Sequence, residues 1–140
     1  MSTGEQAPLE LDILRVFEKE PGALQLYQAL ENKLLEAVPG TLRKVGKTEV
    51  AFYLRHRYAG ASLLAVRKKA QRPSPYLTVS FGLAAPLDSP RIDAKPEPYP
   101  NRWTHHLLIG SLEEIDEELL GWLQEAAAFA ASKPRKGLGE

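Results

Sequence analysis

The sequence predicts a single α+β domain: a mostly antiparallel sheet of about five strands, with two N-terminal helices and one C-terminal helix packed on one face. Three observations predict it. Apolar residues recur at helical spacing up to Pro39-Gly40 and again after Ser111, while between them the period shortens to two. Most connections between the alternating segments are short, which suits antiparallel neighbours, since a parallel pair needs a crossover of about a dozen residues or more. A length of 140 residues fits one domain, taken as residues 9–132, with tails at 1–8 and 133–140.

Leu9, Ile13, Val16 and Phe17 mark a first helix from about Leu9 to Lys19. Pro21-Gly22 interrupts it, and Pro21 suits the first position of a second helix because its missing N–H is not needed there. Leu24, Tyr27, Leu30, Leu34 and Val38 carry that helix to Pro39-Gly40. Leu42 and Val45 suggest a short strand, with a turn at Gly46-Lys47. Val50, Phe52 and Leu54 then alternate with Glu49, Ala51, Tyr53 and Arg55, as on a half-buried strand. His56 to Gly60 reads as a turn and Ala61 to Val66 as a third strand. After a polar loop from Lys68 to Pro75, Leu77, Val79, Phe81 and Leu83 alternate with Tyr76, Thr78, Ser80 and Gly82. A long loop, Asp88 to Asn101, precedes a last strand from Arg102 to Ile109. Ser111 and Glu114 have capping-box spacing and open a final helix, whose buried stripe is Leu112, Ile115, Leu119, Trp122, Leu123, Ala126 and Phe129.

Composition narrows the function classes. The absence of cysteine excludes disulfides, thiolate metal sites and cysteine nucleophiles, and suits a reducing cytoplasm. The N-terminus lacks the basic and apolar regions of a signal peptide, and no apolar run is long enough to span a bilayer. Net charge is zero, yet residues 1–41 carry −4, residues 42–110 carry +8 and residues 111–140 carry −4. A cationic block between acidic flanks points to an anionic partner, a small molecule or a nucleic acid.

Strand parity assigns the candidate site. His105 shares its face with Trp103, Leu107 and Ile109 and is expected core-side, whereas His106 is expected on the open face with Arg102 and Thr104. Parity likewise places Tyr53, Arg55 and Arg57, and Tyr76, Thr78 and Ser80, on that open face. Arginine forks match phosphate or carboxylate, and aromatic rings offer stacking surfaces. Arg91 and Tyr99 are expected to project from the Asp88–Asn101 loop, whose prolines stiffen it, with Tyr99-Pro100 the candidate cis bond. The candidate ligand-binding residues are therefore Tyr53, Arg55, Arg57, Tyr76, Arg91, Tyr99, Arg102 and His106.

No metal or cofactor is expected. Adjacent histidines on a strand point to opposite faces and cannot share an ion. The acidic run from Glu113 to Glu118 suits the first turns of a helix, where the macrodipole favours negative charge. Gly46-Lys47-Thr48 lacks the upstream glycine and the following helix of a phosphate-binding loop. The sequence thus favours a binding module for an anionic, nucleotide-like or nucleic-acid ligand. The alternatives are a small hydrolase or transferase using His106 on a phosphorylated or carboxylated substrate, or a protein-interaction module, with an oligomer compatible with either.

The pieces KVGKTEVAFYLRHRYA, LTVSFGLAAPLDSPRI, EPYPNRWTHHLLI and EIDEELLGWLQEAAAFA carry a resemblance over about Phe17 to Ala131. They resemble an uncharacterised family of small bacterial domains of unknown function, some members of which bear the label "predicted transport protein". Members of that family occur alone or appended to other domains, some resembling restriction-type nucleases. The resemblance implies a compact α+β module and no established activity. The transport label sits poorly with a sequence that lacks membrane spans.

Overall fold

The structure, a computed structural model, describes residues 11–132, so the proposed tails and the first residues of the first helix lie outside the described residues. Helix α1 occupies residues 11–16 and passes into turns before residue 20. The backbone then forms α2 (Ala23–Ala37), β1 (Leu42–Val45), β2 (Glu49–Tyr53), β3 (Arg57–Ser62), β4 (Leu77–Leu83), β5 (Trp103–Ile109) and α3 (Glu117–Ala131). The five strands form one antiparallel sheet in the order β1-β2-β3-β4-β5.

The register sorts the side chains into two faces. Val50, Ala61, Val79 and Leu107 form one row across the sheet, and Phe52, Ala59, Phe81 and His105 form the next. These rows are buried under the helices. Helix α2 buries Leu26, Tyr27, Leu30 and Leu34, and ends where Pro39 and the positive-φ Gly40 follow it. Helix α3 lies across β3 and β4. Ala126, Ala127 and Ala130 on its buried side, and Ala59 and Ala61 on β3, keep both surfaces small enough for close approach. Among the described residues, no helix is long and apolar enough to cross a membrane.

Three expectations from the sequence are corrected. First, the third strand is Arg57–Ser62 and not residues 61–66. The turn before it is the bend at residues 54–56, and the register slips there so that Tyr58 and Ala59 are both buried. Tyr58 finds a partner for its hydroxyl in Thr41 Oγ1 at 2.6 Å. Residues 63–66 leave the sheet and lie over its open face, where Leu63 O accepts from Tyr76 Oη at 2.9 Å and Leu64 O from Thr78 Oγ1 at 2.7 Å. A uniformly apolar run carries no alternation, so nothing in it marks a strand face.

Second, Ser111 and Glu114 do form a capping box, but it closes the 3-10 turn Leu112–Glu114, and Leu112 is exposed. Helix α3 starts later, capped by Asp116 Oδ1, which accepts from Leu119 N at 3.0 Å. Third, the cis bond is Ser74-Pro75; Tyr99-Pro100 is trans.

The loop after β4 is held at both ends of its course. Ala94 bridges to His106 beyond the edge of β5, and Asp93 binds Arg67 at 2.8 Å and Leu108 N at 3.0 Å. Tyr99 to Arg102 closes as a turn, with Arg102 N donating to Tyr99 O at 3.0 Å and Asn101 at φ 64°. Proline followed by an asparagine at positive φ is a favoured pairing for such a turn.

Candidate ligand trough on the open sheet face

Opposite the core, the central row of the sheet reads Lys44, Ala51, Gly60, Ser80, His106. Its middle three residues are small, and Gly82 lies on the same face two positions beyond Ser80. Small residues flanked by long ones make a trough. Glycine inside a strand packs no side chain and often marks close approach of another group. Here that group is a guanidinium in both cases. A Cβ on Gly60 would come within 2.6 Å of Arg57 Nη2, and one on Gly82 within 3.2 Å of the Arg102 guanidinium. The Arg102 guanidinium lies flat over Gly82, with its carbon and both terminal nitrogens equally near, whereas Arg57 points a single nitrogen at Gly60.

Two adjoining cavities share Arg57, Ser80 and Thr104. One, of about 470 Å³, is also lined by Lys47, Glu49, Ser62 and His106 and reaches Arg15 and Lys19 beside α1. The other, of about 300 Å³, runs past Gly82 and Arg102 to Pro98 and Tyr99. At the floor, Ser80 Oγ and His106 Nδ1 share a 2.7 Å hydrogen bond. Burial pushes the His106 pKa below its ordinary value, with the Glu49 charge pulling the other way, so the imidazole is neutral at neutral pH. Arg57 is ion-paired with Glu49.

The eight candidate residues separate into two groups. Arg57, Tyr99, Arg102 and His106 line the trough, and Tyr99 is 65% exposed. The other four are placed differently. Tyr53 stays on the open face opposite Leu42 and Arg57 but lines neither cavity. Arg55 sits exposed in the bend at residues 54–56, because the strand, and with it the parity, ends at Tyr53. Tyr76 has the expected parity but is buried beneath residues 63–64 and Arg72, so its ring offers no free stacking surface.

Arg91 faces the helix layer instead. It donates to Asp116, Glu118 and Glu114 O at 2.8–3.1 Å and lies 5.7 Å from the Trp122 ring centroid, fastening the loop to the start of α3. Burial lowers the pKa of Arg91, but the carboxylates of Glu118 and Asp116 outweigh it and raise it. His105, as parity predicts, is fully buried, stacked on Phe81 at 5.2 Å and accepting from Leu87 N at 3.0 Å. The two histidines face opposite sides of the sheet, so no single ion reaches both.

Sequence reasoning passed over Lys47, Glu49 and Gly60 as parts of the site. Gly60 carried the available signal, a glycine among residues with strand propensity, but it was assigned to a turn.

The model of a family described as a domain of unknown function, DUF5655, matches residues 15–130, and the chain belongs to that family. No curated protein and no solved structure matches the chain.

Proposed function

We propose that this member of the DUF5655 family is a binding module for an anionic, nucleotide-like ligand held in the open-face trough. The observation that carries the reading is the pair of guanidiniums, Arg57 pointed at Gly60 and Arg102 laid over Gly82, which line one cavity with Ser80, whose hydroxyl meets His106. Guanidinium forks are suited to phosphate and carboxylate oxygens. A cavity of about 470 Å³ falls within the usual range for small-molecule sites. The exposed Tyr99 ring at the far end is suited to stacking against a base. The cysteine-free sequence suits a cytoplasmic location.

Calorimetric titration with nucleoside mono- and triphosphates and short oligonucleotides tests the reading. Binding is expected to weaken about tenfold in Arg57→Ala and in Arg102→Ala, as for loss of a charged hydrogen bond. Wild-type protein that takes up none of these ligands at millimolar concentration overturns it. A small ligand in a trough depends weakly on salt, whereas a steep fall in affinity with salt identifies nucleic acid as the partner.

A second reading is favoured by the 2.7 Å contact between Ser80 Oγ and His106 Nδ1. A neutral imidazole that shares its cavity with Arg57 is suited to act as a general acid or base on a bound phosphorylated or carboxylated substrate. Turnover with a pH–rate profile that disappears in His106→Ala supports it, and turnover indifferent to that substitution removes it.

A further inference from the structure

We infer that Glu49 is a resident competitor for the ligand site, and that the site takes a phosphoryl dianion rather than a carboxylate. The inference rests on the reading that the trough binds an anion.

Glu49 is the first residue of β2 and lies on the open face. Its carboxylate holds one nitrogen of Arg57 while the other covers Gly60. Glu49 lines the same cavity as Ser80 and His106. One of the two guanidiniums thus already carries a carboxylate. That contact is weakly held: both side chains are substantially exposed, at 49% for Arg57 and 37% for Glu49. Exposed ion pairs contribute little because water competes for both partners. The pair Arg43–Glu31 is less exposed, at 25% and 18%. Arg91 is fixed by two carboxylates, a carbonyl and a ring together. Of these three arginines, Arg57 is held by the most exposed pair and is the easiest to recruit.

The same arrangement selects the ligand. An incoming carboxylate that takes Arg57 from Glu49 exchanges one monoanion for another. Its two oxygens are filled by a single fork, which leaves Arg102 unused. Arg102 has no carboxylate within ion-pair reach among the described residues. A phosphate monoester brings close to two charges and three terminal oxygens. It has an oxygen for each of Arg57 and Arg102, which line one cavity together with the hydroxyl-bearing Ser80 and Thr104.

Phenyl phosphate and benzoate, which share a ring and differ in the anion, are the probes for calorimetry on wild type and Glu49→Gln. Wild type is expected to bind phenyl phosphate at least about tenfold more tightly than benzoate, the scale of one added charged hydrogen bond. Glu49→Gln, nearly isosteric and at a half-buried strand end, is expected to bind phenyl phosphate about twofold to fivefold more tightly than wild type. Weaker binding in Glu49→Gln identifies Glu49 as a group that positions Arg57 and overturns the inference. So does unchanged binding, or equal affinity for the two probes, while the trough reading survives if Arg57→Ala still weakens them. Failure of both probes to bind either protein overturns the trough reading itself.

Discussion

On the helix side of the sheet, Phe81 and His105 stack at 5.2 Å and Trp122 stacks on Phe81 at 6.1 Å, with Arg91 above Trp122 at 5.7 Å. One residue earlier in β4 and one later in β5, on the opposite face, Ser80 and His106 meet at the floor of a trough. The backbone ladder is shared by both faces. What differs is what each face is given to pack against. The helix face is filled by large side chains, among which His105 keeps one ring nitrogen bonded to Leu87 N and leaves Nδ1 without a partner. The open face has small residues at its centre and arginines resting on glycine. A histidine at 105 is therefore a packed ring with a structural hydrogen bond, while its neighbour at 106 lines a cavity and meets Ser80. Position in the pleat, more than residue type, separates the two roles.

This contrast can be broken by measurement. The largest effect is expected from truncating the packed face. Phe81→Ala should cost about 3–5 kcal/mol in urea unfolding, because it removes a fully buried ring and leaves a cavity. Ser80→Ala, its neighbour on the open side, should cost no more than about 1 kcal/mol. Similar losses at the two positions would mean that the open face is packed after all.

Next in size is the pair of arginines that flank the long loop. Arg91→Ala should cost about 1–2 kcal/mol, since it loses a stacked ring and a carboxylate network whose members are partly solvent-screened. It should also raise hydrogen exchange at Ile92, whose N–H bonds Ser89 O within the loop. Arg102→Ala should change stability by less than about 0.5 kcal/mol while weakening anion binding. Equal destabilisation would assign Arg102 the same fastening role as Arg91.

The third test uses acid. Burial holds both His105 and His106 below the ordinary value of 6.5. As pH falls through 6.5 the unfolded chain takes up protons that the folded chain refuses, so stability drops on the acid side and these groups contribute no slope well above it. The urea midpoint should therefore be lower at pH 5.5 than at pH 8, and the difference should shrink in His105→Gln. A midpoint unchanged between the two pH values would show that the buried imidazole is not held neutral.

A small effect on stability is also expected at Gly60. The atom that an added Cβ would meet is the flexible end of Arg57, so Gly60→Ala should alter stability by less than about 1 kcal/mol. It should nevertheless lift that guanidinium off the sheet and weaken anion binding. Unaltered binding would show that Arg57, as it sits against Gly60, is not the anchor.

Alternation alone was enough to place β4 and β5, to separate His105 from His106, and to put Arg102 and His106 on a common face; Arg57 lines the same trough only because β3 begins there, past the bend where the parity of β2 ends. It was enough because the pleat imposes a period of two on neighbouring residues, which is a local property of the chain. Helical spacing located α2 for the same reason. Where that local signal was missing, in the uniformly apolar residues 61–66 and at the bend of residues 54–56, strand limits and the placement of Arg55 were misjudged.

What the sequence left undecided is which segments return to cover which surface. Tyr76 and Thr78 have the parity of an exposed face, and only the tertiary structure lays the carbonyls of Leu63 and Leu64 across them. Arg91 reads as one more cation on a basic loop until the fold brings it to Asp116, 25 residues away in the chain. The sequence by itself determined the mostly antiparallel sheet, its helical cover and the faces of β2, β4 and β5. The limits of β3, the trough, the arginines set against Gly60 and Gly82 and the acid paired with Arg57 were decided by long-range packing, because no local period records what comes back to rest on an open face.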